Sequence, residues 1–191
     1  PIDAPGYELE NYHLWEREIS QDHRKAFNSK NRYVYPPADV MDALLNNNMK
    51  DLLSELGIRN YKIWDDGWGN VGFRMIRPGV GDGYPLCTKE WGVAKGVISF
   101  WIPIIGFSSD ETLELIPGSH LQNYEREVVE GQFAAGEPRF VGDRDSLNLE
   151  RPILRQGDVI CYSSKTLHSE DVYTSSITRI NLEIRFQPNE S

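Results

Sequence analysis

His168 and Arg179 stand eleven residues apart, joined by the turn-rich segment Ser169 to Thr178. An imidazole can ligate a metal or carry a proton near neutral pH. A guanidinium can grip a carboxylate through two parallel hydrogen bonds. Arg179 also opens a stretch of strict alternation, with Arg179, Asn181, Glu183 and Arg185 on one side and Ile180, Leu182, Ile184 and Phe186 on the other. Side chains alternate faces along a strand, so this strand has one apolar and one polar face. An inward Arg is costly without an anion, which reads the polar face as the lining of a ligand cavity. The structural alternative pairs Arg179 with Glu183 or with a carboxylate on a neighbouring strand. Upstream, Cys87-Thr-Lys-Glu-Trp91 brings a thiol, an ammonium and a carboxylate close together in the chain. Ser99 and Tyr162 offer hydroxyls to a bound carboxylate.

These residues need a scaffold, and the rest of the chain is patterned to supply one. Gly157-Asp158 marks a turn into a short apolar strand, Val159 to Tyr162, just ahead of His168. Tyr61–Trp64, Val71–Ile76, Val97–Ile105 and Thr112–Ile116 read as further strands. Pro103 inside the most apolar of them predicts an edge or a bulge. Arg77-Pro-Gly opens a loop rich in glycine and proline that carries Asp82. Aromatic and acidic residues over 7–27 suggest a short helix, which Pro36-Pro37 would end. The clearest helical signal is the stripe Val40, Met41, Leu44, Leu45, Met49, Leu52, Leu53 and Leu56, with Gly57 placed for a left-handed cap. This stripe should lie on the outside of a sheet. Leading helices and about eight short strands at turn-punctuated spacing predict a mainly β protein, a sandwich or jelly roll with buttressing helices.

Composition limits the function classes. A chain of 191 residues is most simply one domain, with a helical part over 1–57 and a β core over 58–191. The net charge of −9 argues against nucleic acid or an anionic membrane as the main partner. Cys87 and Cys161 are the only cysteines, too few for a disulfide framework, so a reducing cytoplasm is expected. No apolar run approaches a membrane span, and the first residues lack the pattern of a signal peptide.

The ordered pieces Arg77-Pro-Gly, Pro85-Leu-Cys-Thr-Lys-Glu-Trp91, Phe100-Trp-Ile-Pro103, Leu113-Glu-Leu-Ile-Pro-Gly-Ser-His120, Gly157-Asp-Val, His168 and Arg179 cover roughly residues 60–187. Together they resemble the phytanoyl-CoA dioxygenase-like branch of the Fe(II)/2-oxoglutarate oxygenases. The resemblance implies a double-stranded β-helix, cupin-like fold and oxidation of a small molecule of sugar, antibiotic or secondary-metabolite type. It implies His168 as a metal ligand, Arg179 as the partner of the far carboxylate of 2-oxoglutarate, and Trp101 as an aromatic beside that co-substrate. His120, at the end of Pro-Gly-Ser-His, reads as structural, holding the turn after its strand.

The sequence departs from the family where the iron is held. The first His and the carboxylate of a 2-His-1-carboxylate triad form His-x-Asp before a Trp, and here Cys87 and Lys89 fill those places. An ammonium has no lone pair to offer a cation and repels it, which counts against Fe(II). A one-residue slip would recruit Glu90 as the carboxylate, and Asp82 is a second candidate. Two classes follow: an oxygenase using His168 with a non-standard carboxylate such as Glu90, or a metal-free relative that binds a small anion or sugar. In the second, Lys89 and His168 could form a proton-transfer pair, with an oxo-acid neutralised between Lys89 and Arg179.

Overall fold

The computed structural model describes residues 9–15, 33–65, 70–79, 82–84, 86–88, 96–107, 111–129, 137–155, 157–170 and 175–189. Lys89, Glu90 and Trp91 lie outside the described residues, as do Asp65's neighbours through 69 and most of the expected helix over 7–27. Of that helix the described part holds a short turn, Leu9–Asn11, and a four-residue helix α1, Tyr12–Trp15.

The long apolar stripe folds as two helices, α2 (Ala38–Leu44) and α3 (Asn47–Glu55), where one continuous helix is expected. The break falls at Asn46, whose side chain accepts a hydrogen bond from the Met49 amide at 3.1 Å. Asn offers its carboxamide to exposed amides at a helix start, and here that option outcompetes continuation. Gly57 does close the second helix, with φ +78. The Gly57 amide donates to Ser54 O at 2.9 Å and the Ile58 amide to Leu53 O at 2.8 Å, the paired bonds of a Schellman cap.

The main sheet is antiparallel throughout. Its order is β1 (Tyr33–Val34), β3 (Val71–Ile76), β10 (Arg179–Pro188), β4 (Ile98–Ile105) and β8 (Ile160–Ser163), with β2 (Tyr61–Ile63) pairing the end of β10. Two small antiparallel pairs complete the described strands: β5 (Glu114–Leu115) with β9 (His168–Ser169), and β6 (Arg126–Val129) with β7 (Glu137–Phe140). Pro103 sits at a bulge: the partners of Ile180 and Asn181 on β4 jump from Ile105 to Pro103. A proline there removes no ladder bond, because β8 pairs β4 only from Ile98 to Trp101.

The alternation of β10 divides the molecule. Ile184, Phe186, Val71 and Phe100 form one core with Leu53 and Ile58, and Met41, Leu44, Leu45, Met49 and Leu52 pack against it. Thus α2 and α3 cover the apolar face, as expected, although Val40 and Leu56 at the two ends of the stripe remain exposed. Ile180 lies on the same face and packs with Met75 and Tyr12. The opposite face turns inward, and Arg179, Asn181, Glu183 and Arg185 are all buried there. A one-residue slip in register would exchange the faces, so burial on both sides fixes the pairing.

Candidate functional site

His168 is fully buried on β9, and Cys87 lies directly across from it. The Cys87 amide donates to His168 O at 3.0 Å, and the His168 amide donates to Cys87 O at 2.9 Å. Residues that exchange both bonds in an antiparallel pair place their side chains on the same side, about 5.5 Å apart at Cα. The thiol-bearing residue is therefore the immediate neighbour of the imidazole. Neither cysteine forms a disulfide.

The imidazole has a defined tautomer. His168 Nδ1 lies 2.7 Å from Thr166 O, a carbonyl that can only accept, so Nδ1 carries the proton. In the neutral ring the lone pair then resides on Nε2. A backbone carbonyl that holds one ring nitrogen is how a protein orients the other for a metal or a proton. Two tyrosines flank the ring, Tyr162 with its centroid 4.8 Å away and Tyr84 at 5.6 Å. Burial, followed by the Glu170 carboxylate, pushes the Tyr84 phenol well above its usual range. Burial, followed by Glu183, does the same for Tyr162. Both rings are therefore neutral near pH 7. Tyr162 donates its hydroxyl to Glu183 at 3.3 Å.

Arg179 is also fully buried, and the carboxylate beside it belongs to this chain. Its Nη2 lies 3.1 Å from Glu170 Oε1, while its Nη1 donates to Glu111 O at 2.8 Å. Glu170 takes two further contacts: the Trp101 indole Nε1–H donates to Oε1 at 3.0 Å, and Arg74 Nη1 stands 3.4 Å from Oε2. The Arg179 guanidinium lies 5.6 Å from the Trp101 ring centre, and Arg74 lies 4.3 Å over the ring of Tyr84. Glu183 is not the partner of Arg179; it pairs with Arg185, at 3.2 Å from Nε. Glu170 was overlooked in the sequence; it directly follows β9, two residues beyond His168. Arg74 was overlooked too, and its register opposite Asn181 on β3 puts it on the inward face.

Of the residues expected in the site, His168, Cys87, Arg179 and Trp101 converge, each drawn from a different part of the chain. Ser99 faces inward further along β4, across from Tyr162 and Arg185. Its hydroxyl, like both polar atoms of the Asn181 carboxamide, is buried with no hydrogen-bond partner among the described residues. Asp82 is taken up by Arg77, which holds its carboxylate through Nε at 2.7 Å and Nη2 at 2.9 Å. That pairing engages both oxygens of the Asp82 carboxylate. His120 is exposed, and the structural job in its turn falls to Ser119. The buried Ser119 hydroxyl donates to Ile116 O at 2.7 Å and accepts the Leu167 amide at 2.9 Å.

Among the described residues, no three His, Cys, Asp or Glu side chains gather into a group that could hold a metal. His168 is suited to a metal by its tautomer, and Cys87 could supply a sulfur, but two donors do not make a facial triad. Among the described residues His168 and Cys87 are the two candidate donors brought together, while Lys89 and Glu90 lie outside those residues. The cradle of Arg179, Arg74 and Trp101 does fit a carboxylate, and Glu170 supplies one.

No protein-family model matches the chain, and no curated protein matches it. Several solved structures share its fold. EvdO2 from Micromonospora carbonacea var. aurantiaca, solved with 2-oxoglutarate, matches with TM-score 0.62 and 12% identity over 94% of this chain and 83% of that one. SnoK, a non-heme α-ketoglutarate-dependent carbocyclase from nogalamycin biosynthesis, matches with TM-score 0.61 and 14% identity over 97% and 77%. EvdMO1 matches with TM-score 0.53 and 18% identity over 78% of this chain, which spans only 32% of EvdMO1. At such identities the likeness is one of fold. The architecture, mainly β and built from antiparallel sheets, is thus one that this chain shares with those structures. Among the described residues, no helix is long and apolar enough to cross a membrane.

Proposed function

We propose that this chain is a double-stranded β-helix protein of the 2-oxoglutarate oxygenase type, in the phytanoyl-CoA dioxygenase-like branch, whose iron centre has been altered. It acts on or binds a small molecule, and it does not run the standard iron-dependent hydroxylation. The observation that carries this reading is the reciprocal hydrogen bonding of Cys87 and His168. It sets Cys87 beside the one expected ligand of the right type, at the place the resemblance gives to the first metal His. The resemblance, read along the sequence, puts Lys89 at the carboxylate's place. For charges about 4 Å apart at an effective dielectric near 20, one unit pair is worth about 4 kcal/mol. Exchanging a carboxylate for an ammonium swings two charges against a divalent ion, roughly four such terms before deprotonation of the Lys relieves it. One imidazole does not offset that.

The test is metal analysis of the full chain as purified, followed by titration with Fe(II) and 2-oxoglutarate. The expected result is no stoichiometric iron at micromolar protein and no decarboxylation of 2-oxoglutarate. Cys87→His combined with Lys89→Asp should restore iron binding, and either change alone should do so poorly. Stoichiometric iron in the unmodified protein, lost on His168→Ala or Glu90→Gln, would reinstate an active dioxygenase with Glu90 as the carboxylate.

A further inference from the structure

Arg179 and Glu170 are both fully buried; Glu170 accepts a hydrogen bond from the Trp101 indole at 3.0 Å and faces Arg179 and Arg74 in ion pairs at 3.1 and 3.4 Å. This cradle has the features of a carboxylate-binding site: two guanidiniums, a neutral N–H donor and burial that strengthens each contact. A ligand carboxylate that sought Arg179 would have to expel Glu170. The expelled carboxylate would then lie in the interior with neither guanidinium, which is strongly unfavourable.

We propose that Glu170 is an internal occupant of this cradle, standing where a ligand carboxylate would bind and closing the site to 2-oxoglutarate and other external carboxylates. Removing its side chain opens a latent site for a small monocarboxylate, held by Arg179, Arg74 and Trp101. The inference deepens the reading of the inward face as the ligand-binding side of the fold, and rests on it.

Two measurements on the full chain test it. Calorimetry of the unmodified protein with 2-oxoglutarate and with acetate should show no saturable binding at millimolar ligand. Glu170→Ala, which shortens the occupant to a methyl, should unfold at lower temperature than the parent and recover saturably as sodium acetate replaces sodium chloride at constant ionic strength. If Glu170→Ala folds only when acetate is present, that recovery reads the same way. Adding Arg179→Ala should weaken the acetate effect at least tenfold. Binding of 2-oxoglutarate to the parent at micromolar affinity, lost on Arg179→Ala, would overturn the proposal whatever the variants do. So would a Glu170→Ala protein indifferent to acetate, or one that acetate does not recover. These outcomes separate from the metal test: iron without 2-oxoglutarate binding removes the altered-centre reading alone, and 2-oxoglutarate binding without iron removes this one alone.

Discussion

On the helix side of the main sheet, Phe100, Ile184 and Phe186 are sealed beneath α2 and α3 by apolar contact alone. On the other side of the same strands, Arg179, Glu183 and Arg185 are buried just as deeply, and each charge is matched to a partner at hydrogen-bonding distance. The first face depends on volume, because close-packed side chains gain from every contact and lose by every void. The second depends on charge and geometry, because an unmatched ion in the interior costs more than its contacts return. One strand of period two serves both, so the apolar side can anchor the sheet while the polar side is free to specialise.

Substitutions that change volume or charge separately should break this symmetry. Phe186→Ala should cost about 3–5 kcal/mol in urea unfolding, and Phe186→Leu much less. On the inward face, Glu170→Gln barely changes volume yet leaves two guanidiniums without their carboxylate, and it too should cost about 3–5 kcal/mol. A loss below about 1 kcal/mol for Glu170→Gln would mean that the inward charges are held by something other than one another. The comparison would then fail.

The apolar face was legible in the sequence because periodicity reports burial directly: Ile180 to Phe186 and the stripe from Met41 to Leu53 both announce which side they hide. The cap at Gly57 was legible for the same local reason, since only glycine adopts its φ of +78 without strain. The break at Asn46 was not, because the carboxamide that caps α3 competes with an otherwise continuous helical pattern. On the inward face, single residues could be read but their partners could not. Arg179 was legible as needing an anion, whereas Glu170 lies just past β9 and meets it only through the fold. No local pattern in the sequence joins Glu170, just past β9, to the residues packed opposite it.

A smaller perturbation tests how firmly the backbone positions Arg179. Gly106 follows β4 at φ +67, and a Cβ there would meet Thr178 O and come within 2.9 Å of the Arg179 Cα. Neither obstacle is a flexible side-chain end. Gly106→Ala should therefore destabilise by about 1–3 kcal/mol, from the positive φ and the displaced start of β10. The loss should fall together with a weakened Arg179–Glu170 pair. Calorimetric unfolding of Gly106→Ala alone and in an Arg179→Met background should show non-additive losses, since the two residues touch. Strict additivity would place the effect in the loop and leave the cradle untouched.

The least perturbing test leaves neutral-pH chemistry unchanged and titrates the two faces apart. Tyr84 and Tyr162 on the inward face have phenols raised above 10 chiefly by burial, while Cys161 on β8, an exposed residue, has its thiol raised from 9.0 to about 11 by partial burial. Cys161 pairs with Phe100, whose side chain lies on the helix-covered face, so it titrates on the opposite side from the tyrosines. All three groups are neutral in the folded protein below their raised values and lose their protons sooner once unfolded. Each therefore contributes stability that is complete below its unfolded value and lost as pH rises through its folded one. The Cys161 contribution should fade between pH 9 and 11, and that of the tyrosines only above pH 10. Urea midpoints measured from pH 8 upward should fall in that order. Cys161→Ser should flatten the early part of the decline, and Tyr84→Phe the later part. Tyr162→Phe should also flatten the later part, but at neutral pH it gives up the hydrogen bond to Glu183, worth about 1 kcal/mol. An alkaline decline that Tyr84→Phe leaves unchanged above pH 10 would show that the ring beside His168 reaches solvent, and with it that the inward face is open rather than sealed.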